Sequence, residues 1–150
     1  MGITWQYNDT EFTEDQIGDS YGFVYLITNL ENNKKYIGKK LFWFSRTKTV
    51  KGKRKRVKVP SDWQTYYGSS DKLQKDVILY GQDKFRREIL HLCKTKGECS
   101  YLEAKEQFAN NVMESDEYYN DWIMVRVRKT HIKDYNDRTN RTQGTIEQRL

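Results

Sequence analysis

The stretch Phe23-Val-Tyr25-Leu-Ile-Thr-Asn-Leu-Glu-Asn-Asn-Lys-Lys-Tyr36-Ile-Gly38-Lys-Lys40 decides the fold. A run rich in β-branched and aromatic residues, Phe23 to Thr28, meets a turn cluster, Glu31 to Lys34, and then a second short run, Lys35 to Lys39. That order predicts a β-hairpin. With Asn32-Asn33 as a two-residue turn, Glu31 faces Lys34, Asn29 faces Tyr36 and Tyr25 faces Lys40. Side chains alternate along a strand, so Tyr25, Tyr36 and Lys40 then share one face, with Gly38 leaving a gap between them. A slip of one residue would separate the two tyrosines. Two phenols and a cation beside a bare glycine can hold a phosphate and handle a proton.

Downstream, Leu41-Phe-Trp-Phe44 is too continuously apolar to mark one face, and it is read as a buried turn of helix or an irregular segment. Residues 47–59 are the most basic segment, with Lys48, Lys51, Lys53, Arg54, Lys55, Arg56 and Lys58. Thr49 and Val50 lie before Gly52, Val57 and Val59 after it, which suits an exposed β-hairpin or long loop. From Pro60 to Gly68 the chain turns, with Trp63, Tyr66 and Tyr67 free for packing or sugar contacts. Ser70 caps a helix over Asp71 to Tyr80, and Gly81 ends it. Lys84 to Cys93 suits a partly buried strand. A second helix spans about Tyr101 to Met113, opened by an S-x-x-E box of Ser100 and Glu103. Its apolar stripe is Tyr101, Ala104, Phe108 and Val112. At about 100° per residue, Glu103 lies opposite the stripe and faces water, while Glu106 lies on its shoulder and can look into a cleft. Ile123 to Lys129 is a further strand or a coil with a basic face. The fold class is α+β: a small central antiparallel three-stranded sheet flanked by helices, with an inserted basic hairpin or loop. Residues 1–20 form an acidic N-terminal extension, anchored at most by Trp5 or Phe12. Residues 21–132 form one domain and 133–150 a polar C-terminal tail.

The charge is unevenly placed. Residues 1–33 hold six acids and no Lys or Arg, so the remainder of the 150-residue chain carries all 27 basic residues and a net charge of +12. A body this positive points to a polyanionic partner, with nucleic acid the first expectation. No apolar run approaches a membrane span, and no membrane partner is expected. The N-terminus lacks the basic start and apolar core of a secretory signal. Cys93 and Cys99, the two cysteines, match no zinc spacing and are read as buried or idle thiols. His91 and His131 are isolated and receive no catalytic role.

Phe23-Val24-Tyr25, Tyr36-Ile37-Gly38 and Arg46, eight residues after that glycine, resemble the signature of the GIY-YIG nuclease superfamily. The likeness continues through Tyr67-Gly-Ser-Ser70, Tyr80-Gly81, Glu106 and Asn120, roughly residues 22 to 122. Two departures stand out. Phe23 holds the place of the first glycine, with Gly22 one position earlier. Val50 stands where relatives often carry a histidine or another polar group, for which Lys48 or a tyrosine near Tyr66-Tyr67 could substitute.

The resemblance implies a phage-type or free-standing homing endonuclease that cuts double-stranded DNA in the cytoplasm of a bacterial or phage-infected cell. Tyr25 would be the general base or water-orienting group and Tyr36 its support, with Gly38 spacing them. Arg46 would clamp the scissile phosphate through its forked donors. Glu106 would be the single carboxylate on Mg²⁺ (or Mn²⁺), an ion that completes its shell with water and phosphate. Asn120 would support the local structure. Lys39, Lys40 and the cations of residues 47–59 would contact DNA phosphates. Cutting both strands would need either a homodimer on DNA or sequential nicks. Two other readings use the same residues: a DNA-binding module that has lost cleavage, and an RNA-binding protein drawing on the basic segment and exposed aromatics.

Overall fold

The order of the hairpin, the turn signals and the capped helix translates into the following elements in a computed structural model that describes residues 4–139. They are β1 (Trp5–Tyr7), β2 (Thr10–Glu11), β3 (Gly22–Asn29), β4 (Lys35–Leu41), β5 (Trp43–Val50), β6 (Lys53–Pro60), α1 (Asp71–Tyr80), β7 (Phe85–Cys93) and α2 (Lys96–Ala109). Short 3₁₀ turns join several of them, and residues 133–139 are helical. The expected polar tail therefore starts as helix, and its last eleven residues lie outside the described ones.

The fold is α+β, but the sheet is larger than expected. Its order is β2-β1-β7-β3-β4, five strands in place of three. β3 pairs antiparallel with both β4 and β7, while β1 runs parallel to β7, so the sheet is mixed. The two extra strands come from the acidic segment expected to be a lead-in. Trp5 and Phe12 are buried at 2% and 4% exposure. The Trp5 indole N–H donates to the Trp63 carbonyl at 2.7 Å, and Phe12 stacks on Phe42. The acids of this segment all point outward. Burying two large aromatic side chains outweighs the lack of any long strand pattern.

The hairpin forms with a different register. Tyr25 pairs with Gly38, Ile27 with Tyr36 and Phe23 with Lys40. The loop is Leu30 to Asn33, four residues, closed by Asn29 N–H to the Lys34 carbonyl at 2.8 Å and Asn33 N–H to the Asn29 carbonyl at 2.7 Å. Asn29 Oδ1 accepts from the Glu31 N–H, and Asn33 takes the left-handed conformation at φ +63°. This side-chain turn replaces the two-residue one. Because the slip is by two residues, each side chain keeps its face.

One sheet face carries Phe23, Tyr25, Ile27, Phe85 and Ile89 and is covered by Trp63, Tyr67 and Leu73 and Val77 of α1. The other carries Val24, Ile37 and Cys93 and packs on Cys99 and Leu102 of α2. Both cysteines are free and buried, in line with idle thiols. α1 spans the residues expected, with Ser70 Oγ accepting from Leu73 N–H. α2 does not. It begins at Lys96, with Thr95 as N-cap accepting from Glu98 N–H, so Ser100 and Glu103 lie inside the helix and not at its start. Arg87, buried on the sheet, lies between the Trp5 and Tyr67 rings and donates to the carbonyls of Gln64 and Tyr66.

Residues 43–60 form a separate two-stranded ribbon, β5 with β6, turned at Lys51-Gly52 where both residues have positive φ. The basic segment is thus an exposed hairpin, and Trp43 and Phe44 open its first strand in place of the expected buried helical turn or irregular segment. Residues 121–128 have no regular structure, the coil reading of that run. No helix among the described residues is long and apolar enough to cross a membrane.

Candidate active site

The site is built at β4, the outer strand of the sheet. Gly38 lies opposite Tyr25, and the tyrosine fills the space a side chain there would need. A Cβ on Gly38 would stand 2.4 Å from the Tyr25 hydroxyl and 2.6 Å from its Cζ. Gly68 is needed nearby for a different reason: at φ +89° it turns the chain under the same hydroxyl. Tyr25 itself is fully buried. Burial pushes its phenol well above the usual tyrosine range, and the neighbouring Tyr66 and Tyr36 push it further. It stays protonated in the folded protein at neutral pH.

Tyr36 sits diagonally from Tyr25, ring centroids 6.2 Å apart, and its hydroxyl lies 3.1 Å from Ser69 Oγ. Tyr66 meets Tyr25 edge to face at 6.0 Å. The Lys40 ammonium lies 4.0 Å over the Tyr66 ring and 2.6 Å from Asp62 Oδ1. Of the two tyrosines offered as substitutes after Arg46, Tyr66 therefore joins the group. Tyr67 is buried against Arg87. Lys48 lies well out on the ribbon.

The carboxylate that reaches this group is Glu103. It lines a cavity of about 180 Å³ together with Tyr36, Lys39, Ser69, Gln107, Trp122 and Met124. Its side chain is 15% exposed, with Lys39 Nζ 3.9 Å away. Burial pushes its pKa up, and Lys39 pulls it partly back. Glu106, assigned the metal from the sequence, is not in this cavity. Its Oε1 is 2.8 Å from His91 Nε2, and its Oε2 accepts from Asn110 Nδ2 at 3.2 Å. His91 pairs with Val24 in the sheet, on the face opposite Tyr25 and Tyr36. The different placement of Glu103 follows from the helix start. Two S/T-x-x-E boxes compete here, Thr95 to Glu98 and Ser100 to Glu103. Choosing the second cast Glu103 as a cap, when it is a mid-helix residue beside β4.

Asn120 completes the edge. Its Oδ1 accepts from Ile37 N–H at 3.1 Å and its Nδ2 donates to Ile37 C=O at 2.8 Å. One amide thus serves both outward groups of the strand, as a further strand would. Gln107 Nε2 also donates to that carbonyl at 3.0 Å. Beside Glu103's cavity lies a larger one, about 590 Å³, lined by Tyr36, Ser69, Lys72, Lys75, Asn120 and Trp122 among others.

Arg46 is exposed on β5, its guanidinium 5.0 Å over the Phe44 ring, over which the Lys40 ammonium also lies at 5.0 Å. A chain of contacts through Phe44, Lys40 and Tyr66 links it to Tyr25. On the ribbon, Arg46, Lys48, Lys53 and Lys55 share the face of Phe44; Arg54, Arg56 and Lys58 share the face of Trp43. Lys51 is at the tip. Lys39 is engaged with Glu103 and donates to Ser100 Oγ at 2.7 Å. His131 lies in a 3₁₀ turn, accepting from Arg128 N–H.

Among the described residues no group of three or more His, Cys, Asp or Glu converges to hold a metal. A cation here would have one protein carboxylate, Glu103. That donor set fits a hard divalent ion that takes its other ligands from water and phosphate, and not zinc.

The family model described as "Putative endonuclease segE, GIY-YIG domain" matches residues 5–123. The match begins at Trp5, the first residue of β1. The chain is also similar to the "Putative endonuclease segE" of Enterobacteria phage T4, 35% identical over 100 residues, which cover 67% of this chain and 40% of that protein. The chain thus spans well under half of that relative's length. No solved structure matches.

Proposed function

Given that the chain belongs to the GIY-YIG endonuclease family, as the match over residues 5–123 shows, we propose that it is a metal-dependent DNA endonuclease whose reaction runs in the cleft between β4 and α2. The observation that carries this reading is the shared cavity of Glu103, Tyr36 and Ser69 at the Gly38 edge, with Tyr25 and Tyr66 behind it.

Hydrolysis of a phosphodiester needs an oriented water, counter-charge on the phosphoryl oxygens and help for the leaving alkoxide. Glu103 would hold Mg²⁺ or Mn²⁺, which supplies Lewis-acid stabilisation of the phosphoryl and leaving oxygens. The chain does the rest. Tyr36 and Ser69 present hydroxyls to the cavity and orient the attacking water. Tyr25 is not the base: its buried, protonated phenol holds Tyr66 in place. Tyr66 and Lys40 border the cleft on the side of the ribbon, where Arg46 and Lys40 form a cationic wall for the substrate strand. The β5–β6 ribbon, with seven basic residues between Lys48 and Lys58, suits a groove of duplex DNA, wide enough for two strands. Its contacts position the duplex and set the salt dependence. Asn120 keeps β4 in place.

Plasmid nicking with Mg²⁺ tests the assignment. Glu103→Gln is expected to lower the rate at least about a hundredfold, the scale of losing one transition-state charge stabiliser. Glu106→Gln is expected to cut within about threefold of wild type. The reverse pattern would overturn the assignment of Glu103. Duplex binding with no cleavage under any metal would instead support the inactive-module reading, and preference for structured RNA at matched salt the RNA-binding one.

A further inference from the structure

The segment after Asn120 is absorbed by nothing so far described. It is tied down at both ends. Tyr119 N–H bonds the Lys35 carbonyl at 2.7 Å, and Asn120 caps Ile37. Ile132 is buried, Tyr135 packs against Tyr101, and Arg138 pairs with Glu98. Residues 121–128 have no regular structure; Asp121 pairs with Lys72 at 3.0 Å, and Ile123 packs into the second core. On either side of Ile123 the chain turns outward. Trp122 is 65% exposed and Met124 68%.

The position of Trp122 is specific. Trp122 lines both cavities that meet at Tyr36, the one holding Glu103 and the larger one with Lys72 and Lys75. Met124 lines the Glu103 cavity as well. Arg126 and Arg128 follow along the same strap, exposed. A large flat apolar ring between cationic side chains, at the rim of a phosphate-handling cleft, has the chemistry of a stacking platform for a nucleobase. Every base offers a π-face, and the neighbouring cations track the backbone. A thioether beside it can fill the space against a sugar or wedge a base step.

We propose that Trp122 is a substrate-positioning residue, the platform on which a base next to the scissile phosphate stacks, with Met124 packed against that nucleotide. This rests on the reading of the β4–α2 cleft as a DNA-cleaving site, and deepens it by naming what fixes the nucleotide in register. The ribbon and the strap then grip the substrate differently. Ribbon contacts are ionic and weaken with salt; the Trp122 contact is apolar and does not.

The test uses the full chain and a 30-base-pair duplex of mixed sequence in Ca²⁺, so that binding is read without turnover, followed by nicking in Mg²⁺. Trp122→Ala is expected to weaken duplex binding about tenfold to a hundredfold, the range for removing one base–aromatic stack. Trp122→Phe is expected to stay within about threefold. The slope of log affinity against log salt should be unchanged in both. Iodide quenching of tryptophan emission, compared between wild type and Trp122→Phe, should show that the Trp122 component becomes shielded on the duplex. Wild-type affinity in Trp122→Ala, or a Trp122 signal still open to iodide in the saturated complex, overturns the proposal. If wild type itself fails to bind the duplex, it is the nuclease reading that has failed, and the two failures are told apart in one titration. Unfolding of Trp122→Ala is checked by Trp122→Gln, which keeps a similar reach without the ring and is expected to lose affinity to the same degree.

Discussion

Gly38→Ala puts the hairpin register to a quantitative test. The added methyl would stand 2.4 Å from the Tyr25 hydroxyl, 2.6 Å from Tyr25 Cζ and 2.8 Å from Tyr36 Cε2. Ordinary contacts between such atoms are about 3.5–4.0 Å. A fully buried ring must therefore move by about 1 Å, or β4 must peel from β3. Overpacking of this kind costs roughly 1–3 kcal/mol, and the lower backbone entropy of alanine in a strand returns about 0.5–1 kcal/mol. The net expectation is a destabilisation of about 1–2 kcal/mol, or roughly 2–8 °C in Tm for a chain of this size. Urea unfolding followed by far-UV circular dichroism should show a lower midpoint with an unchanged m-value. The partner of the clash is identified by a double-mutant cycle. In a Tyr25→Leu background the effect of Gly38→Ala should shrink by about 1 kcal/mol or more, whereas in an Ile27→Val background it should not. With a two-residue turn, Gly38 would face Ile27, and the coupling would move there. Stability of Gly38→Ala within about 0.5 kcal/mol of wild type would refute the reasoning from Tyr25 and its fit over the glycine.

The start of α2 is tested by Thr95→Ala, expected to lower stability by about 1 kcal/mol in urea unfolding, while Ser100→Ala changes it little, because only Thr95 caps the helix. Tyr119 is buried with its hydroxyl bonded to Asp76 Oδ2 at 2.6 Å and to Asn29, and burial together with Asp76 pushes its pKa up to about 12. An unfolded tyrosine titrates near about 10. Its contribution is therefore complete below that value and lost as pH rises through the folded pKa. Tyr119→Phe should cost about 1 kcal/mol at neutral pH and flatten the alkaline loss of stability between those two values. Replacing Lys48, Lys53 and Lys55 one at a time by alanine should leave Tm within about 1 °C and lower the salt slope of duplex binding by about 1 for each phosphate contact removed.

What could be read from the sequence, and what could not, divides along physical lines. Local signals carried well. Ser70 and Gly81 framed α1, and alternation kept Tyr25, Tyr36 and Lys40 on one face even though the turn was misjudged, because a two-residue error preserves parity. The valines around Gly52 marked the ribbon. Two kinds of information were not local. β1 is three residues long and exists because β7 and Trp63 are there to receive Trp5, a contact 58 residues away. Glu103 was misassigned because two capping boxes of the same form lie five residues apart, and only packing of Cys99 and Leu102 on the sheet chooses between them. Trp122 gave no periodic signal at all.

The strand order also dictates a sequence of events during synthesis. β3 and β4 can close on each other as soon as they leave the ribosome, since only residues 30–34 join them. The first strand of the sheet has only the two-residue β2 as a local neighbour. Its parallel mate is β7, and the buried guanidinium that clasps the Tyr66 loop under the Trp5 ring sits on that same late strand. Until residues 85–93 emerge, the nascent chain holds an unmated edge and a loose Tyr66 loop. Arrival of β7 and fixing of the Tyr66 side of the cleft are one step.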